Sequence, residues 1–337
     1  MNSSSQIKKF ILDNLTRHQK DIIYAAIQRF GVSRQAVLKH MHALIADKQV
    51  IAHGKTRDRF YELRPKINYN KTFEINDDFS TEGLIKKSIV PLLKSISDNI
   101  REIILFSIAA ILNNCVEHSK SSKFYFKLYV THNDLHIVLS DNGRGIFGNI
   151  QSNLSLESTQ VSAIELAKGR ITTDPLNHSG DELYTVINLF DDVKIESNGI
   201  SLNFKYYHQE WSLDHSVQQK GTRIHLKIDP SSKRSCKEIF EKIFTVKYSK
   251  LCIPINLLKV PGYELVNSRS QANNVLRNIK DFKIIEFDFN NIDLIGPAFA
   301  DELIRKIKTD NQSADIHWIN SNNTVDLMMS RALNRFS

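Results

Sequence analysis

The 337-residue chain is 41% hydrophobic and 24% charged, with only 12 glycines and 7 prolines. These values exclude collagen-like, low-complexity and proline-rich linker architectures and predict two or three domains of roughly 100–150 residues. The net charge is +8, with an isoelectric point of about 9.2, and residues 1–65 hold twelve Lys/Arg against five Asp/Glu, a net +7 that suggests a polyanionic partner such as double-stranded DNA. The longest nearly unbroken apolar run, Ile103–Leu112, has ten residues and contains Ser107, short of the ~20 that span a bilayer. Met1-Asn-Ser-Ser-Ser5 holds no apolar stretch, so neither a membrane partner nor a secretory signal is expected. Cys115, Cys236 and Cys252 form no CxxC pair, which argues against a disulfide scaffold or a zinc ribbon and for a reducing, cytoplasmic setting.

In chain order, Ile7, Phe10, Ile11 and Leu15 recur at helical spacing, and Ile22, Ile23, Ala26, Ile27 and Phe30 repeat the pattern. Gly31 ends that helix and Ser33 caps the next, Ser33–Asp47, whose apolar face is Val37, Met41, Leu44 and Ile45. Gln49–Ile51 and Arg59–Leu63 have β character and bracket the polar loop Ala52-His-Gly-Lys-Thr-Arg-Asp58. The stretch Gln28–Met41 resembles the turn and recognition helix of the helix-turn-helix family, and the hairpin resembles a wing. The resemblance implies a winged-helix domain over residues 1–65. Ser33, Arg34, Gln35, Lys39 and His40 on the second helix would face base edges or phosphates, with His42 a further candidate on that face. Lys55, Arg57 and Arg59 would meet the backbone from the wing. Winged helices also serve as protein–protein modules, and that reading stays open.

Residues 65–78 read as a linker. Ser80–Ile96 follows as an amphipathic helix kinked at Pro91, and Ile100–Ser119 as a long apolar helix ending Asn113-Asn114-Cys115-Val116-Glu117-His118-Ser119. Two alternating segments, Phe124–Thr131 and Leu135–Ser140, lead into Asp141-Asn-Gly-Arg-Gly-Ile146. Residues 147–178 look loop-like apart from a helix at Val161–Gly169. Ser179-Gly180 opens a helix over Asp181–Phe190, and Gly221-Thr222-Arg-Ile-His-Leu-Lys-Ile228 supplies a last strand.

This order of Asn-Asn-x-x-x-His helix, hairpin and Asp-x-Gly-x-Gly resembles the Bergerat-fold ATPases (gyrase, Hsp90, histidine kinase and MutL), covering roughly Ser80–Asp229. The resemblance implies an ATP and Mg²⁺ site. Asp141 would accept the adenine amino proton, Gly143, Gly145 and Ile146 would lie against the base, and Asn114 would be the metal ligand. Ser179 and Gly180 would offer backbone N–H groups to the phosphates, Thr222 would donate to a phosphate oxygen, and Lys168 and Arg170 would be further phosphate contacts. His118 reads as a structural residue of the helix end.

Two positions depart from the family pattern. The residue four before Asn114, where related ATPases carry the water-activating Glu, is Ala110, so hydrolysis is expected to be impaired. The loss is either natural or a deliberate Glu-to-Ala change, and the intact ligands elsewhere favour the latter. Glu182 stands where the family has a second glycine and must point away from a triphosphate or pair with Lys168 or Arg170.

Residues 230–252 read as a helical connector. Beyond it, strands expected at Gly262–Val266, Lys283–Phe289 and Asp315–Ile319 alternate with helices at Ser268–Ile279, Gly296–Thr309 and Asn322–Leu333, which predicts a small parallel α/β domain. Ser268-Arg-Ser-Gln-Ala and Asp293–Glu302 resemble the STAS-like domain of unknown function and, more distantly, anti-sigma-factor antagonists. The turn Leu294-Ile-Gly-Pro-Ala298 has no Ser or Thr, so a phospho-switch there is not expected.

The expected fold is therefore multidomain. An all-α/winged-helix domain (1–65) precedes an α+β Bergerat ATPase sandwich (66–229), a connector (230–252) and a C-terminal α/β STAS-like domain (253–337). The expected function is an ATP-responsive, DNA-binding transcriptional regulator, a homodimer with a protein partner through its STAS-like domain. The alternatives are a serine or histidine kinase of the partner-switching kind and an ATP-gated dimerising clamp.

Overall fold

The computed structural model describes residues 3–169, 181–247, 249–259, 265–277, 279–280 and 282–336, the side chains of Arg57 and residues 244–247 excepted. Two compact units divide the chain: residues 1–71, 127–137 and 227–232 form one, and 72–126, 138–226 and 233–337 the other.

In the first unit, α1 (Ser3–Asn14), α2 (Ile22–Phe30) and α3 (Arg34–Ala46) precede an antiparallel ribbon of β1 (Val50–His53) and β2 (Phe60–Leu63). Each helix has one apolar stripe, and Ile7, Ile11, Ile22, Ala26, Val37, Met41 and Leu44 bury theirs together with Val50, Tyr61 and Leu63 of the ribbon. The α2–α3 turn is set by two local signals. Gly31 takes a left-handed φ of 62° and closes α2 on the Ile27 carbonyl, and the Ser33 hydroxyl accepts the Ala36 N–H at 3.2 Å to start α3.

The segment read from the sequence as a linker contains a strand, β3 (Ile67–Glu74). It forms one edge of a seven-stranded sheet, so only Ile67 is buried and its alternation is faint. The segment expected as one kinked helix is three short pieces. A turn of α4 (Thr81–Leu84), capped by Ser80, passes into a wide π turn (Ile85–Ile89) and then a tight 3₁₀ turn (Val90–Leu93) around Pro91, which has no N–H to give.

Next come α5 (Asp98–His118), β4 (Lys123–Val130) and β5 (Leu135–Asp141). The loop expected after Gly145 is in part a helix, α6 (Ile146–Leu154), followed by α7 (Thr159–Lys168). Then α8 (Glu182–Leu189) leads into three antiparallel strands, β6 (Asp192–Ser197), β7 (Ile200–Lys205) and β8 (Glu210–His215), and on to β9 (Thr222–Ile228). The sheet order is β3-β4-β5-β9-β6-β7-β8, so β9 inserts between β5 and β6 and brings Thr222 beside the end of β5. Period-two alternation buries Phe124, Phe126, Leu128, Leu139, Ile224 and Leu226, while Ile103, Ile104, Ile108, Ile111 and Leu112 of α5 are buried too. By length and composition α5 could cross a membrane, but half of its most apolar stretch is covered by the rest of the fold.

After α9 (Cys236–Lys247), β10 (Lys250–Pro254), β11 (Ile284–Asp288) and β12 (Asp315–Ile319) make a parallel sheet. Lys250–Cys252, expected in the connector, are thus the start of its first strand. Three helices accompany the sheet: α10 (Arg269–Val275), α11 (Pro297–Asp310) and α12 (Asn323–Arg335). Ile253, Ile285, Phe287, Phe299, Leu303, Val325 and Met329 are fully buried. Ser268 and Gln271 form a reciprocal capping box on α10, as their spacing predicts. Of the strand expected at Gly262–Val266, residues 262–264 lie outside the described set, and Val266 makes one parallel bridge to Ile295.

Candidate functional site

The chemistry-bearing residues of the middle segment converge on the end of β5. Both carboxylate oxygens of Asp141 are engaged. Oδ1 accepts the Gly143 N–H at 2.7 Å, and Oδ2 accepts the Thr222 N–H at 3.2 Å from a residue 81 positions away. Burial pushes the Asp141 pKa above the ordinary aspartate range, and these N–H donors pull part of the way back. A charged carboxylate held by two backbone dipoles, with lone pairs left over, is a directional acceptor for an N–H group of a ligand.

The turn after Asp141 is held from two sides. Arg144 N–H donates to the Ser119 carbonyl at the end of α5, at 2.9 Å. Asn142 Oδ1 accepts from Ser122 N–H (3.1 Å), Lys123 N–H (3.0 Å) and the Ser121 hydroxyl (2.6 Å). On the other side, the Thr222 hydroxyl accepts the Ile146 N–H at 2.9 Å, and Asn198 Oδ1 accepts the Gly148 N–H at 2.9 Å. The first free amides of α6 are thereby satisfied by side chains.

Thr222 lies against Asp141 and the start of α6, its N–H donating to the carboxylate and its hydroxyl accepting the Ile146 N–H. A Cβ on Gly143 would overlap the Ser119 carbonyl oxygen, and one on Gly145 (φ 84°) would overlap Ser197 and Asn198. Both glycines are therefore required by the protein's own close packing, whatever lies beyond. Gly221 (φ 76°) is equally constrained, because a Cβ there would run into Asp141 itself.

Asn114 is half-buried on α5, and its side-chain amide has no hydrogen-bond partner among the described residues. Ala110 and Ser107 share its face at helical spacing. Ala110 is 6% exposed, and the Ser107 hydroxyl is buried without a partner. Cys115, next to Asn114, has its thiol pushed up to about 11 by burial and by the negative charge of Asp141, which places the asparagine turn and the aspartate in the same electrostatic neighbourhood. Glu117 is exposed beside His118, 3.8 Å from its ring nitrogen.

Lys168 is not a surface cation. Its ammonium is buried, 2.6 Å from Glu165 and 2.9 Å from the Arg277 carbonyl, and burial drives the lysine pKa down and the glutamate pKa up. It joins the end of α7 to the segment after α10. Glu182 is exposed at the start of α8. Arg170, Ser179 and Gly180 lie outside the described residues. Asn198 and Ser197 escaped sequence reasoning, although Asn198-Gly199 between two alternating runs is a hairpin signal.

In the first unit, Ser33, Arg34, Gln35 and Lys39 are exposed and His40 is half-buried on α3, with Lys55 and Arg59 exposed between the ribbon strands. The His40 pKa is lowered by partial burial and then by Lys8 and Lys39, so the residue is neutral near pH 7 in this cationic surrounding. Arg59 stacks over the Tyr61 ring at 5.4 Å, and the side chain of Arg57 lies outside the described set.

Residues 271–326 match the STAS-like domain of unknown function (DUF4325). No curated protein matches the chain. Among solved structures, the chain is similar to an IcIR transcriptional regulator from Alicyclobacillus acidocaldarius, at 10% identity over 73% of this chain and 95% of that one, with a TM-score of 0.23.

The close packing makes a direct prediction. Gly143→Ala must displace the Ser119 carbonyl or the turn, and chemical denaturation is expected to show a loss of about 1–3 kcal/mol, as for other overpacked sites. Gly31→Ala removes a left-handed residue with nothing within 4 Å of its would-be Cβ and is expected to cost no more than about 1 kcal/mol. A loss for Gly143→Ala no larger than that for Gly31→Ala would show that the Ser119 carbonyl yields to the added methyl at little cost.

Proposed function

We propose that the chain is an ATP-responsive, DNA-binding transcriptional regulator, in which a winged helix (α1 to β2) reads DNA and a Bergerat-type domain (β3 to β9) binds the nucleotide. The observation that carries the reading is the Asp141 carboxylate, held by the Gly143 and Thr222 N–H groups one turn from the asparagine-bearing end of α5. Adenine differs from guanine in offering an amino donor where guanine has a carbonyl, and a charged carboxylate selects the donor. Asn114 fits the other half, because its amide oxygen is free for a hard cation. Among the described residues no group of three or more His, Cys, Asp or Glu could hold a metal unaided. Asn114 would therefore supply one ligand to a Mg²⁺ whose remaining oxygens come from phosphate and water, the usual way a nucleotide-bound magnesium is held. When bound, that ion screens the phosphate charge. The groups of this chain then hold the base, the turn and one metal ligand.

DNA binding is supported by the concentration of charge in residues 1–65 and by the exposed cations and amide on α3, flanked by Lys55 and Arg59. A regulator also needs unequal nucleotide affinity in its two states. The proposal is tested with a duplex selected from a random-sequence library, whose affinity is measured over a salt series with and without ATP. ATP is expected to change the affinity. Lys39→Ala is expected to weaken binding and reduce the log–log salt slope by about one. Affinity indifferent to both ATP and Lys39 would overturn it.

Hydrolysis is the separate question raised by position 110. Between Glu102 and Glu117 helix α5 carries no carboxylate, so position 110 offers no group that could deprotonate a water. Ala110→Glu is expected to raise phosphate release by roughly 10²–10⁴-fold with ATP uptake retained. Uptake without any gain in release would remove position 110 from the reaction.

A further inference from the structure

From the way the β6–β7 turn meets the start of α6, we infer that Asn198 is a positioning residue of the nucleotide site, an inference that rests on the nucleotide-binding reading above. Asn198 and Gly199 form a two-residue hairpin turn between Ser197 and Ile200, with φ of 50° and 81°, the left-handed pair that a tight antiparallel turn demands. An asparagine is a good residue there for conformational reasons alone, but a glycine would serve the turn equally well. The side chain does something more. Its Oδ1 accepts the Gly148 N–H at 2.9 Å, and its Nδ2 donates to the Arg144 carbonyl at 3.2 Å. One amide group therefore brackets Gly145, holding the last peptide before the glycine and the first turn of α6 after it.

The neighbouring Ser197 is fully buried, with its hydroxyl 3.0 Å from the Gly221 carbonyl and 2.7 Å from Asn198 Oδ1. Gly221 precedes Thr222, whose N–H is the second donor to Asp141. The hairpin thus touches both segments that present N–H groups to the aspartate, one 50 and 54 residues before it and the other 24 residues after it. The α5 end holds the opposite flank through Ser119 and Asn142. Without the hairpin amide, the Asp141–Ile146 turn keeps only the Thr222 bonds on that side, and the acceptor direction of Asp141 is less firmly set. The expected cost appears in nucleotide affinity, because orientation is what the turn supplies.

The test separates turn geometry from the side chain. Asn198→Gly keeps the left-handed turn and deletes both hydrogen bonds. Asn198→Asp keeps an acceptor for Gly148 and loses the donor to Arg144. ATP uptake is measured by calorimetry for the wild-type full-length chain and both variants, together with thermal unfolding and the pH at which uptake is half lost. Asn198→Gly is expected to bind ATP at least tenfold more weakly, Asn198→Asp to recover part of the loss, and both to unfold cooperatively. In Asn198→Gly the half-loss pH is expected to move upward, since a looser turn weakens the Gly143 and Thr222 N–H bonds that hold the Asp141 pKa down. A purely structural turn residue would lower thermal stability and leave the half-loss pH in place, which would overturn the inference, as would ATP affinity unchanged in Asn198→Gly. Absence of uptake by the wild-type chain would instead overturn the nucleotide reading itself.

Discussion

The middle of this protein depends on one half-buried carboxylate and the amides that hold it. A carboxylate taken out of water is costly unless hydrogen bonds replace its hydration. Asp141 receives two backbone N–H bonds, from Gly143 at the turn that follows it and from Thr222 on the inserted strand β9. Those donors exist only if two glycines sit beside the aspartate. Gly143 must pass under the Ser119 carbonyl, and Gly221 must come close to Asp141 with a left-handed φ. The order of the sheet follows the same constraint, since β9 must lie next to β5 for Thr222 to reach the carboxylate.

Around that charge the structure builds outward by capping. The end of α5 is tied to the turn through Ser119, Ser121 and Asn142, and the start of α6 is tied to Thr222 and Asn198. Each bond is individually modest, about 1 kcal/mol net, but each also removes a buried amide or carbonyl that would otherwise cost more unpaired. The result is a rigid acceptor beside the unpartnered amide of Asn114. Rigidity of that kind is what a ligand-binding turn needs, because the ordering cost is then met on folding and not on binding.

Much of this was readable from residues alone. Helical spacing, Gly31 and Ser33 located α2 and α3, and alternation located β4 and β5. The Ser268–Gln271 spacing located the capping box on α10, where the match to the STAS-like domain begins. What escaped the sequence had a physical reason in each case. Strand β3 is an edge with one buried residue, so its polarity reads as linker. Helix α6 begins at a glycine and owes its first hydrogen bonds to side chains 50 and 76 residues away, which no local pattern can display. Lys168 looks like a loop cation until Glu165, three residues before it, and the distant Arg277 carbonyl are seen to enclose it. Asn198 carried its turn signal openly, but its contact with Gly148 is a tertiary fact.

The central claim is that Asp141 is the acceptor for an adenine amino group. Calorimetric titration of ATP and of GTP into the full-length chain and its Asp141→Asn variant tests it most directly. The account predicts saturable uptake of ATP, weak or no uptake of GTP, and loss of ATP uptake in a variant that still unfolds cooperatively. Uptake of both nucleotides alike, or ATP uptake untouched by Asp141→Asn, would contradict it.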